Sequence, residues 1–151
     1  MVRMDAAFDG VVRLTLYREF AINGRAPSSQ RIAEILGAPR STIQGALERL
    51  AAGKVIVLQP ESREILWANP LSAVPTPFVV RVGTPFFFAS CVWDALGIIA
   101  MLNRDGKVET SCACCGEAMT IKVHEGRPFP SQGVIHFAIP AKQWWENIVF
   151  T

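Results

Sequence analysis

Phe86-Phe87-Phe88-Ala89-Ser90-Cys91-Val92-Trp93-Asp94-Ala95-Leu96-Gly97-Ile98-Ile99-Ala100-Met101-Leu102 is the longest apolar stretch of the chain. It reads as a strand over 86–89 running into a buried helix over 90–102. A membrane span is the competing reading. Asp94 lies in the middle of these roughly 17 residues, and a charge at mid-bilayer is costly, so the buried helix is preferred. Downstream, 103–106 is a turn, 107–111 and 119–123 are strands flanking 112–117, and 132–139 is another strand stopped by Pro140. A helical turn over 141–146 and the start of a strand over 147–151 complete the chain. Trp144 and Trp145 are expected to pack on the core.

Upstream, residues 69–85 contain four prolines and read as an extended connector leading into a strand near 78–82. The expected boundary lies here, giving units of 1–76 and 77–151. In the first unit Asp9 is expected to cap a helix ending near Asn23, with Val11, Val12, Leu14, Leu16, Tyr17 and Phe20 facing in. Ser28 or Ser29 caps a second helix that buries Ile32, Ala33, Ile35 and Leu36. Arg40 or Ser41 opens a third through Ile43, Ala46, Leu47 and Leu50, closed by Gly53. Strand-like runs over 55–58 and 64–67 follow, with Pro60 and Ser62 in the turn. Three helices and a hairpin are the order of a winged helix-turn-helix. The expected class is α+β: a winged-helix-like domain, then a mixed-strand domain with a central helix.

The 151 residues carry 15 Lys+Arg and 13 Asp+Glu, a net of +2, too balanced to imply a nucleic-acid or membrane surface by charge alone. Half the residues are hydrophobic and 19% are charged, which excludes disorder. The third helix offers Arg40, Ser41, Thr42, Gln44 and Arg49, and Lys54 follows it, but Glu48 partly cancels them; DNA binding is not the expected use. Early charges at Arg3 and Asp5 leave no signal-peptide core. A cytoplasmic protein without membrane attachment is expected, its cysteines 91, 112, 114 and 115 present as thiols.

Cys91 and Asp94 form the sharpest chemical pattern. Cys91 starts the helix, where free N–H groups and the dipole favour an anion, so a lowered thiol pKa is expected. Asp94, three residues on, shares its face, and apolar surroundings would raise its carboxyl pKa. The pair is either a metal-binding nucleophile beside a proton carrier, or a small buried hydrophobe beside a first-turn acid. Cys112-Ala113-Cys114-Cys115-Gly116 has half the spacing of a zinc knuckle. No second C-x-x-C exists, so a closed tetrahedral site is not expected, whereas soft-metal binding by two or three thiolates and a plain turn both stay open. His124 and His136 read as ordinary residues. No Walker loop, G-x-G-x-x-G, H-E-x-x-H or G-x-S-x-G is present.

Three blocks, in this order, resemble the alkylmercury (organomercurial) lyase family. They are Ile65-Leu66-Trp67-Ala68-Asn69-Pro70-Leu71-Ser72-Ala73-Val74-Pro75-Thr76, Cys91-Val92-Trp93-Asp94-Ala95-Leu96, and 107–123 around Cys112. The resemblance implies protonolysis of a carbon–mercury bond in an organomercurial, as in mercuric resistance. Cys91 matches the catalytic cysteine that takes mercury as a thiolate, and Asp94 the aspartate that passes a proton to the leaving carbon. Cys112 matches a cysteine regarded as structural. No cofactor is implied; Hg(II) is the product ligand, external thiols are acceptors, and hand-off to thiols or a mercuric reductase follows. The family's second catalytic cysteine falls close to or beyond Thr151. The expectation is that Cys114 or Cys115 substitutes, or that the given chain is incomplete; a further reading has the frame continue through a stop codon read as selenocysteine. Two other readings are a non-catalytic thiol-metal binder or sensor, and a winged-helix transcription regulator.

Overall fold

The computed structural model describes residues 2–131, 133–137 and 139–148, with side chains from Asp5 onward. Helix α1 spans Val2–Asn23, so Asp9 lies inside it rather than capping it. The Asp9 carboxylate instead accepts from Arg49 Nη2 and Nε at 2.6 and 2.9 Å. Val12, Leu16 and Phe20, spaced four apart, form the fully buried stripe. Val11 and Leu14, expected inside, are about half exposed because they lie toward the opposite face of the helix from that stripe. Helix α2, Ser29–Leu36, is capped by Ser28, whose hydroxyl accepts from Arg31 N–H, and ends at left-handed Gly37. Ile32 and Ala33 are buried, whereas Ile35 is exposed. Helix α3, Arg40–Ala52, follows Pro39 and buries Ile43, Ala46, Leu47 and Leu50 against α1 and α2. Strands β1 (Val57–Leu58) and β2 (Ile65–Ala68) pair antiparallel.

The segment expected to be a connector contains a strand, β3 (Leu71–Ser72), and the strand expected near 78–82 forms as β4 (Val79–Arg81). With β5 (Phe86–Ala89), β6 (Gly106–Ser111), β7 (Ala118–His124) and β8 (Arg127–Phe129) they complete one eight-stranded antiparallel sheet, ordered β1-β2-β3-β5-β4-β6-β7-β8. Its prolines keep β3 and β4 short without preventing pairing. Register aligns Phe87, Val80 and Val108 across three neighbouring strands, and all three are essentially fully buried. Helix α4, Val92–Leu102, packs on this row with Ala95, Ile98 and Ile99. The fold is thus α+β. Among the described residues no helix is long and apolar enough to cross a membrane.

The strand expected over 132–139 is not formed at the described residues 133–137 and 139; residues 132 and 138 lie outside the description. Val134 is 92% exposed, and β8 already pairs with the free side of β7 where such a strand could add. Of the strand expected over 147–151, residues 149–151 also lie outside, and 147–148 are not in a strand. The helical turn is a 3-10 helix, Ala141–Glu146. Its tryptophans are half-buried. Trp144 meets Phe137 at 5.1 Å between ring centroids, and Lys54 sits 5.7 Å over the Trp145 ring.

Candidate active site

The sheet ends β5 at Ala89, and α4 begins three residues later, so Cys91 becomes the cap between them. Its backbone is extended, and its sulfur accepts the Asp94 N–H at 3.4 Å. A helix cap is normally oxygen; here sulfur satisfies one of the free first-turn N–H groups. This cap holds the Asp94 side chain within hydrogen-bonding reach of the thiol. Both residues are half-buried. The structure therefore brings together the two residues that spacing had paired.

The electrostatics depart from expectation at the sulfur. Burial pushes the Cys91 thiol above its ordinary value, and the neighbouring Asp94 charge adds to the rise. Together they outweigh the Asp94 and Trp93 N–H groups, which act the other way. The helix start alone suggested a lowered value; the apolar ground around α4 decides otherwise. Burial also raises the Asp94 carboxyl, as apolar surroundings predict, and contact with the thiol moderates the rise. The thiol thus favours holding its proton until a ligand arrives, and the neighbouring carboxyl has a raised affinity for one.

Two further features were not singled out in the sequence. Trp93 is 57% exposed and meets Phe137 edge-on at 6.3 Å, so Trp93, Phe137 and Trp144 form an aromatic group beside the thiol–carboxyl pair. A tryptophan flanking the aspartate was the available signal. The Ser90 hydroxyl oxygen, next in sequence to Cys91, is buried and has no hydrogen-bond partner among the described residues. Two cavities of about 350 and 380 Å³ lie elsewhere. One is lined by the C-terminal half of α4 with the β7–β8 turn, the other by α1 with Asn69 and Met101.

The other candidates separate. Cys112 and Cys115 meet each other in the β6–β7 turn. His124 pairs through Nδ1 with Asp105, whose other oxygen accepts the Glu125 N–H at 2.8 Å, and His136 is exposed. Among the described residues no three His, Cys, Asp or Glu side chains converge at metal distance. Arg40, Gln44 and Arg49 of α3 each bond within the chain. Arg40 bonds Glu64 and Ser29, Gln44 donates to the Arg63 carbonyl, and Arg49 holds Asp9.

Residues 71–151 match the family model for alkylmercury lyase (MerB). No curated protein matches the chain significantly. Among solved structures, the chain is similar in fold to the mercury-bound form of MerB2, with a TM-score of 0.64 and 24% identity over 82% of its own length. It spans 60% of the length of that chain.

Proposed function

The chain belongs to the alkylmercury lyase family, and from this premise we propose that it cleaves the carbon–mercury bond of an organomercurial, with Cys91 as mercury ligand and Asp94 as proton donor. The observation that carries the reading is the contact between a half-buried thiol and a half-buried carboxyl whose proton affinity burial has raised. Mercury is soft and prefers sulfur. As the Cys91 sulfur bonds to mercury, its proton passes to the Asp94 carboxylate and the original mercury counter-ligand leaves. Asp94 then gives that proton to the leaving carbon, releasing the hydrocarbon. A small thiolate occupies the position the carbon vacates, so Asp94 ends as it began and Hg(II) is held between two sulfurs. External thiols then carry Hg(II) away. A non-catalytic binder would need the sulfur but not the acid, so the Cys91–Asp94 contact favours the lyase.

The test is hydrocarbon release from an arylmercury compound by purified protein in excess small thiol. Wild-type protein is expected to release the arene. Cys91→Ala is expected to lose both release and mercury capture at this site, and Asp94→Ala to keep capture and lose release. Unchanged turnover in the Asp94 variant would remove it as proton donor, and absence of release from wild-type protein would remove the activity.

A further inference from the structure

We propose that the β6–β7 turn is a second soft-cation site, in which the sulfurs of Cys112 and Cys115 hold a two-coordinate ion such as Hg(II) as a dithiolate. The turn is closed by the Cys112 N–H on the Glu117 carbonyl and the Gly116 N–H on the Cys112 carbonyl, both at 2.8 Å. Gly116 adopts φ +73°, with open space where a side chain would go, so backbone conformation rather than crowding calls for glycine. This path aims the N–H groups of Cys115 and Cys114 at the Cys112 sulfur and brings the Cys115 thiol against it. N–H groups directed at sulfur favour its metal-bound, thiolate form. The two sulfurs are already together, so binding needs little ordering of the chain.

The donor set selects the cargo. Zinc in a structural site needs four ligands, and no third His, Cys, Asp or Glu joins the pair among the described residues. An ion satisfied by two soft sulfurs fits instead. Access is open, because Cys115 is exposed and Cys112 half-exposed. Position adds an independent argument. Register aligns Phe88, Val79 and Glu109 across β5, β4 and β6. Cys91 lies three residues beyond Phe88, and Cys112 three beyond Glu109, at the same end of the sheet. Two strand spacings separate those chain ends, about 10 Å. If Cys91 releases mercury as the lyase reading holds, the freed ion finds a dithiol close by; the binding itself does not depend on that reading. In that transfer two S–Hg bonds form at Cys112 and Cys115. The bonds to Cys91 and to an external thiolate break, and the two thiol protons pass to the released sulfurs.

The experiment uses Cys91→Ser protein, titrated with mercuric chloride against a competing monothiol and then desalted. Bound mercury is read by elemental mass spectrometry and by sulfur-to-mercury charge-transfer absorbance. About one equivalent is expected to remain. Cys115→Ser, at an exposed turn position where circular dichroism confirms folding, is expected to weaken retention on the order of 100-fold, because the second sulfur binds intramolecularly. Cys114→Ser is expected to retain mercury unchanged. No retention, equal retention after Cys115→Ser, or equal dependence on Cys114 would overturn the assignment. Hydrocarbon release is not read here, so failure of the lyase reading leaves this result standing.

Discussion

A thiol capping the helix that carries its neighbouring carboxyl gives one turn of chain both a soft ligand and a proton. Helix termini usually stabilise anions, but at Cys91 burial and the Asp94 charge outweigh that effect. Asp94 titrates above its unfolded value of 3.8 because burial penalises the charged carboxylate. The neutral carboxyl is the better-tolerated form in the fold, so stability is lost as pH rises from the ordinary carboxylate range through the folded value. Asp94→Asn is therefore expected to be more stable than wild type in urea at pH 7. The difference should shrink toward about pH 3, where both side chains are neutral. An equal gain at both pH values would show that charge burial is not its source.

Between elements, Glu64 ties the hairpin to the helices. Its carboxylate accepts the Ser29 N–H at 2.7 Å, the Ser29 hydroxyl at 2.6 Å and Arg40 Nη2 at 3.1 Å. Burial alone would raise its pKa, but these partners outweigh burial and hold it below its usual value. Its contribution is thus present above the unfolded value and is lost as pH falls through the depressed folded one. Glu64→Gln is expected to cost about 1–2 kcal/mol in urea unfolding at pH 7 and progressively less as acid protonates the carboxyl; Arg40 is largely exposed and adds little. The same ties bear on nucleic acid. Arg40, Gln44 and Arg49 are residue types that read DNA, yet each bonds within the chain. Fluorescence anisotropy at low salt with a random duplex is expected to show no salt-dependent binding; affinity falling with the log of salt would show that these contacts open.

Across the whole molecule, the sheet does not pause at residues 76 and 77. β3 pairs with β5 through Leu71–Ala89 and Ser72–Phe88, joining the hairpin of the helical part to the strands beneath α4. A shared sheet couples the unfolding of what lies on either side of it. Urea unfolding followed by tryptophan fluorescence and by far-ultraviolet circular dichroism is expected to give one coincident transition. Two separated midpoints would show that the halves unfold independently.

The sequence by itself determined the α+β class and the three helices before a hairpin. It also determined the strand and helix of 86–102 and the pairing of Cys91 with Asp94, because periodicity, caps and a spacing of three are local properties of the chain. Short strands were beyond it. β3 and β8 hold two and three residues, too few to show a period, and exist because a neighbour pairs with them. Apolar content over 132–139 suggested a strand, but no pairing forms at its described residues. The raised Cys91 thiol, the engagement of the α3 cations and the common sheet end of Cys91 and Cys112 were decided by tertiary structure. Burial, long-range ion pairs and strand order depend on which distant residues come to lie alongside, and no local pattern carries that information.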